Sequence, residues 1–179
     1  GVGRGYQTRE VETFGAPLLD REANRELFIE QMEIILKAFN EDSFTHKGKY
    51  YTLPAEVEYR GYALKDITLV PRPSNLPVEM WQPVSSGSSI QFAAEKGIKA
   101  MIGLTGEKIV DQFMSQYQSA AANIGNQLEL GQNTALGFGF CIGENQKDAM
   151  EKVRPYHDER YKWFAPFGFV RYTDEEGRM

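Results

Sequence analysis

The chain has 179 residues, of which 41% are hydrophobic and 25% charged, and its formal net charge is −5. This composition is ordinary for a folded domain, and the negative charge balance argues against the basic surface that nucleic-acid binding requires. The one cysteine, Cys141, excludes a disulfide framework within a chain, and no apolar run is long enough to cross a membrane. We therefore expect a single cytoplasmic domain over residues 1–179.

The first half of the chain predicts a helix, a hairpin and a strand. Asp20 is a suitable N-cap for a helix that fades near residues 40–43, and its apolar face is spaced helically at Phe28, Met32, Ile35, Leu36 and Phe39. The charged side of this helix, which includes Arg25, is expected to face solvent. The stretch "FTHKGKYYTLP" predicts two short strands that turn at Gly48. A strand is then expected over residues 67–70, ending at Pro71.

The second half alternates short apolar strands with helices. Strands are predicted at 78–81, 98–104 and in "TALGFGFCIG", with helices in "SIQFAAEKG", in "GEKIVDQFMSQYQSAAANIG" and after Asn145, the last kinked or interrupted at Pro155. Gly97 and Gly125 are expected to terminate the first two of these helices. Such alternation predicts a parallel sheet, and the few visible strands indicate part of a (β/α)₈ barrel cut at both ends.

The stretch "WQPVSSGSSIQF" has two interpretations. An apolar strand runs into Ser85, Ser86 and Gly87, and a helix follows, so that hydroxyls and free backbone amides meet at a helix start, as in anion sites. A capped helix after a polar loop explains the same residues, because serine is a common N-cap. On these residues alone both interpretations stay open.

The first residues, "GVGRGY", are open to two interpretations as well. Gly3 and Gly5 allow a ligand to approach the backbone closely, and Arg4 offers a planar fork suited to phosphate. A surface turn with a solvated arginine is the alternative. The spacing is not that of a dinucleotide-binding fingerprint, which needs a third glycine and a preceding strand. In a (β/α)₈ barrel, strand-to-loop junctions open on one face, so both stretches could grip one phosphate.

The order of the motifs resembles the bacterial luciferase-like monooxygenases. The segments "GVGRGYQTREVETFG", "REANRELFIEQMEIILKAF", "HKGKYYTLP", "VPRPSNLPVEMWQPVSSGSSIQFAAEKG" and "VDQFMSQYQSAAANIG" follow each other as in that family, over most of the chain. The resemblance implies a (β/α)₈ TIM barrel, of which this chain covers the end of strand 4 through the helix after strand 7. It also implies that the chain is part of a longer enzyme, without the first strands and the last.

The resemblance further implies the cofactor site. Arg4 matches the position whose arginine contacts the flavin phosphate, and Ser85, Ser86 and Gly87 match the loop that holds the same phosphate. Tyr6 matches a position beside the isoalloxazine ring. Luciferase itself carries a cysteine where this chain has Gly3, so light emission is not expected. The catalytic acid–base residues of the family fall in strands outside this chain and are not assigned here.

The function that the resemblance implies is oxidation of a small organic substrate by reduced FMN and O₂. A separate flavin reductase is an expected partner, and the chain is expected to form a homo- or heterodimer. No nucleic acid, membrane or metal is expected to bind. Two alternatives stay open: a deazaflavin F420-dependent oxidoreductase of the same fold, and a non-catalytic supporting subunit or fragment.

Other chemistry-bearing residues have ordinary interpretations. His46 is expected to be exposed in the hairpin, and His157 to be structural or solvated, because no further ligand at metal-site spacing accompanies them. Cys141 is expected to pack in a buried strand, since no base is paired with it. The aromatic stretch "RYKWFAPFGF" is a candidate lining of a substrate mouth or a dimer surface.

Overall fold

The computed structural model describes residues 1–5, 11–16, 20–103 and 106–164, with the side chains of Arg21 and Tyr59 excepted. The chain divides into two compact units. The first contains Gly1–Arg4 and Asp20–Gly137, and the second contains Gly5–Leu19 and Phe138–Met179. The first unit carries the parallel sheet and the candidate site.

Helix α1 spans Arg21–Asn40 and begins at the predicted N-cap. The Asp20 carboxylate accepts hydrogen bonds from the backbone N–H of Glu22 at 3.1 Å and of Ala23 at 3.0 Å, which satisfies two of the unpaired donors of a helix start. Phe28 and Met32, one turn apart, are buried. The prediction of this helix, its cap and its apolar face is confirmed.

Two antiparallel hairpins follow α1. Strands β1 (His46–Lys47) and β2 (Thr52–Leu53) pair around the predicted turn, and β3 (Glu58–Tyr59) pairs with β4 (Tyr62–Ala63). The strand predicted over residues 67–70 is wrong, because this stretch makes one isolated bridge, from Ile67 to Phe44, and Val70 is 80% exposed. A segment with no neighbouring strand beyond that bridge cannot continue a ladder.

A buried carboxylate ties the first hairpin to α1. Glu30 accepts hydrogen bonds from the N–H of Tyr50 at 3.0 Å, from the N–H of Tyr51 at 2.8 Å and from His46 Nε2 at 3.1 Å. Burial alone would raise the pKa of Glu30, but these donors together hold it below its ordinary value. The expectation that His46 is exposed is wrong, because a partner sixteen residues earlier in the chain draws it inward.

The central sheet has three parallel strands in the order in which they occur along the chain. They are β5 (Trp81–Val84), β6 (Lys99–Gly103) and β7 (Thr134–Gly137), with Gln82 opposite Ala100 and Ala100 opposite Thr134. The N–H of Val2 donates to the carbonyl of Trp81 at 2.8 Å, which places the start of the chain beside the free edge of β5. The predicted parallel sheet is confirmed, but the strand predicted at 78–81 begins only at Trp81 and runs to Val84.

Helices α2 (Gly87–Glu95) and α3 (Glu107–Asn123) cover one face of this sheet. The expected terminating glycines lie just beyond their ends in the left-handed region, with φ of 68° at Gly97 and 88° at Gly125, where side chains are disfavoured. The Tyr117 hydroxyl donates to the carbonyl of Ile98 at 2.9 Å, and burial raises the pKa of this phenol. The core combines both helices with α1 and the sheet: Phe28, Met32, Met80, Val84, Ile90, Ala93, Ala94, Ile98, Ala100, Ile102, Tyr117, Ala120 and Ala121.

The second unit contains helix α4 (Gln146–Phe164), which has no buried side chain among its described residues. Asn145 caps it through a 3.1 Å bond from the N–H of Asp148, as predicted, and the helix runs through Pro155 without interruption. Cys141 is exposed and lies beyond the last residue of β7, so its predicted place in a buried strand is wrong. No helix of the described residues is long and apolar enough to cross a membrane.

Candidate functional site

The turn from β5 into α2 is built from serines that satisfy one another. Ser86 is the N-cap, and Ser89 completes a capping box with it. Ser89 Oγ accepts from the N–H of Ser85 at 3.2 Å and of Ser86 at 3.1 Å, and donates to the Ser86 carbonyl at 2.8 Å. The amides of Ser85 and Ser86 are therefore used inside the turn.

The next two amides along the chain remain open. Within the described residues, the N–H groups of Gly87 and Ser88 have no hydrogen-bond acceptor. They are the first two donors of α2, where the helix dipole adds partial positive charge. An anion that reaches this helix start would find two amides pointing at it.

Arg4 approaches this helix start from the neighbouring segment. Val2 hydrogen-bonds to β5 and packs against the hydrophobic core, so in an extended segment the side chain two residues on points to the same side. Gly5 follows with φ of 81°, a left-handed conformation that turns the chain directly after the arginine. The glycine-flanked arginine thus ends beside the carboxyl end of β5.

An open cleft of about 330 Å³, including the solvent at its mouth, brings these elements together within the first unit. The rings of Phe28 and Phe92 lie 5.6 Å apart in its apolar wall. Gln82 is only 5% exposed, and its Oε1 has no hydrogen-bond partner among the described residues. The full lining comprises Arg4, Arg25, Phe28, Ile29, Gln82, Ser88, Ser89 and Phe92.

Arg25 and Gln82 are lining residues that the sequence did not single out. Arg25 was placed on the solvent side of α1, and it is exposed at the open cleft. The signal was present, since Arg25 precedes Phe28 by three residues and Met32 by seven and so shares their helical face. Arg25 is exposed, and a long cationic side chain at this position is able to reach the cleft while its charge stays in solvent.

The charge of the cleft is positive. None of its described lining residues is an acid, and neither Arg4 nor Arg25 forms an ion pair within the described part of the chain. Two guanidinium groups, two open amides and a helix N-terminus are the donor set that phosphate binding uses. The residues present therefore fit a phosphate group.

The other predicted site residues have the following places. Gly87 starts α2 against α3, where a Cβ would lie 2.8 Å from Gln116 Nε2, the far end of a side chain that can move aside. Ser85 and Ser86 lie in the turn, while Ser88 and Ser89 are the serines on the cleft wall. Tyr6 lies outside the described residues.

The remaining candidates are not among the described residues that line the cleft. His157 Nδ1 lies 3.6 Å from Asp158 Oδ1 on α4, and its side chain is half exposed. Residues 160–164 of the aromatic stretch end α4, and 165–169 lie outside the described residues. No group of three or more metal-binding side chains forms in the part of the chain that the structure covers.

Solved structures share the fold. Monooxygenase RslO1 from Streptomyces bottropensis superposes with a TM-score of 0.71 at 17% identity, over 92% of this chain and 47% of its own. The oxygenating constituent of 3,6-diketocamphane monooxygenase from Pseudomonas putida, a type II Baeyer–Villiger monooxygenase in complex with FMN, gives 0.63 at 21% identity, over 94% and 48%. DmoA from Hyphomicrobium sulfonivorans superposes with a TM-score of 0.52 at 15% identity, over 87% of this chain and 39% of its own. This chain spans about half the length of the first two.

Sequence comparison identifies the family. The uncharacterized protein y4vJ of Sinorhizobium fredii is 39% identical over 54 residues, which are 30% of this chain and 14% of that protein. The profile of one family, described as luciferase-like monooxygenase, matches residues 1–177. The chain therefore belongs to the luciferase-like monooxygenases.

Proposed function

We propose that this chain forms the flavin-phosphate half of a luciferase-like, flavin-dependent monooxygenase that oxidises a small organic substrate with O₂. The observation that carries the proposal is that Arg4, Arg25 and Ser88 line one cleft at the start of α2, whose first two backbone amides have no acceptor among the described residues. In this proposal the cleft holds the phosphate of reduced FMN, and Ser85 and Ser86 act by building the turn that presents those amides.

We further propose that residues 1–179 are part of one (β/α)₈ barrel, from the end of strand 4 through the helix after strand 7. The segment at Val2, then β5, β6 and β7, lie side by side in chain order, as barrel strands do. The face of the sheet opposite the helices carries Pro83 and Met101, both exposed, whereas parallel sheets are normally covered on both faces. In a barrel this face lies inside.

FMN is the favoured cofactor over F420 for a reason of charge. FMN ends in a phosphate monoester with close to two negative charges near neutral pH, and the cleft offers two guanidinium groups and no acid among its described lining residues. F420 carries its phosphate as a diester with one charge. The diketocamphane enzyme, whose fold this chain shares, is an FMN complex.

The residues of the cleft bind and orient rather than transfer protons. None of the described lining residues is a carboxylic acid or a histidine. Reduced flavin supplies the electrons that activate O₂. Arg4, Arg25 and α2 would fix the phosphate end of the cofactor, and the packed rings of Phe28 and Phe92 would keep water from one side of that end. The flavin reductase and the dimer remain predictions.

Anaerobic titration of the protein with reduced FMN and with reduced F420 tests the proposal. We expect saturable binding of FMN and at least tenfold weaker binding of F420. The reverse order would favour the F420-dependent oxidoreductase, and equal weak binding of both would overturn the flavin assignment. FMN binding without substrate oxidation, when a flavin reductase and a panel of small ketones and aldehydes are supplied, would favour the supporting subunit.

A further inference from the structure

Gln82 is a buried polar side chain whose oxygen lacks a partner. It lies on β5, it is 5% exposed, and Oε1 accepts no hydrogen bond from any described residue. An unpaired buried acceptor costs free energy, and most buried polar atoms in folded proteins are paired. The side chain lines the cleft, so the missing donor is to be sought there.

Few groups around the cleft are able to supply that donor. Phe28, Ile29 and Phe92 are apolar. Ser89 Oγ already donates to the Ser86 carbonyl, and Ser88 Oγ is 3.2 Å from Ser86 Oγ. Around the cleft, the unpaired donors of the described residues are therefore the two guanidinium groups and the amides that start α2.

Of the two guanidinium groups, that of Arg4 is the one placed to donate a hydrogen bond to Gln82 Oε1. Val2 packs into the core on the helix-covered face of the sheet, and Arg4, two residues on, is on that same side. Gln82 points to this face too, because its register partner Ala100 is fully buried there. The two side chains thus line one cleft from adjacent segments of the sheet.

We propose that Gln82 is a positioning residue that fixes Arg4 over a bound phosphate monoester. Its Oε1 accepts one N–H of the guanidinium when the anion draws that group inward, and the remaining donors of the fork face the phosphate. Arginine has five donors in a fixed planar arrangement, so one bond to an amide leaves enough for an anion. The inference rests on the proposed flavin-phosphate function of the cleft.

The proposed role predicts an effect confined to the phosphate. A fixed guanidinium binds with less loss of side-chain freedom than a mobile one. Riboflavin shares the ring system and ribityl chain of FMN but has no phosphate, so its affinity should not depend on Gln82. Replacing an unpaired buried amide by an apolar group of similar shape should also leave the unliganded protein as stable as before, or more stable.

A double-mutant cycle between Gln82→Met and Arg4→Ala tests the role. Dissociation constants for FMN and riboflavin are measured by flavin fluorescence, and unfolding in urea is followed without ligand. We expect Gln82→Met to weaken FMN binding about tenfold, since hydrogen bonds to charged groups are of that strength. In the Arg4→Ala background, Gln82→Met should change neither affinity.

The outcomes separate this inference from the function on which it rests. Equal affinity of the wild type for FMN and riboflavin would overturn the phosphate site itself. A wild-type preference for FMN that Arg4→Ala removes and Gln82→Met preserves would overturn only the role of Gln82, as would equal losses for FMN and riboflavin. Gln82→Leu repeats the measurement if the methionine variant does not fold.

Discussion

Arg4→Ala is expected to weaken FMN binding by about tenfold to a hundredfold while riboflavin affinity stays within about twofold. Arg4 and Arg25 line a cleft that has no acid among its described lining residues. Replacing either arginine therefore removes a charge-assisted hydrogen bond to the FMN phosphate. Arg25→Ala should act in the same direction. Fluorescence titrations with both flavins, at one fixed ionic strength, measure the effect.

Lys65→Ala is the matched control for both arginine variants. It removes the same charge from an exposed residue that is not in the cleft lining, and should leave the preference for FMN unchanged. The preference should also fall as salt is raised, because exposed charges are screened. Equal losses of affinity for FMN and riboflavin in Arg4→Ala would mean that Arg4 supports the structure of the cleft and does not bind the phosphate.

Glu30→Gln is expected to lower the free energy of unfolding by about 2 kcal/mol, since it removes a buried carboxylate that accepts from three donors. The amide retains the volume but opposes some of those donors with its own N–H₂ group. Gly48→Ala should act through the same contacts, because a Cβ there would meet the Glu30 carboxylate and lie 2.6 Å from His46 Nε2. Urea unfolding measures both variants.

The contribution of Glu30 should also depend on pH with a definite sign. Its pKa is lower in the folded protein than the ordinary value of 4.5, so the stabilisation is fully present above about pH 4.5 and is lost as pH falls through the folded pKa. The stability difference between wild type and Glu30→Gln should therefore shrink below pH 4.5. A difference that stays constant down to the acid-unfolding transition would contradict the assignment.

Glu26→Gln is the control for the hydrogen bonds between Glu30 and the first hairpin. Glu26 lies one turn earlier on α1 and forms an exposed ion pair with Lys49 at 2.6 Å. Exposed pairs contribute little, so this variant should lose much less stability than Glu30→Gln. A comparable loss of stability would mean that the exposed ion pair between Glu26 and Lys49 holds the hairpin as strongly as the buried Glu30 carboxylate does.

The features that the sequence predicted well are those that local chemistry determines. Asp20 and Asn145 cap helices, and Gly97 and Gly125 terminate them, because the residues involved are within a few positions of each other. The parallel sheet followed from the alternation of apolar strands and amphipathic helices.

The features that it missed depend on contacts between distant segments. The burial of His46 requires Glu30, sixteen residues away, and no local pattern announces that pair. At the candidate site, the sequence singled out Arg4 and the serine turn but neither Arg25 nor Gln82, which line the same cleft. Arg25 looked solvated on a charged helix side, and the orphan oxygen of Gln82 becomes visible only when its neighbours are known.

Diffraction from crystals of the protein grown with FMN tests the central claim most directly. The account predicts the phosphate within hydrogen-bond distance, about 3 Å, of the amide nitrogens of Gly87 and Ser88, with the guanidinium groups of Arg4 and Arg25 on its other oxygens. A phosphate bound elsewhere, with these amides and both arginines facing solvent, would contradict it.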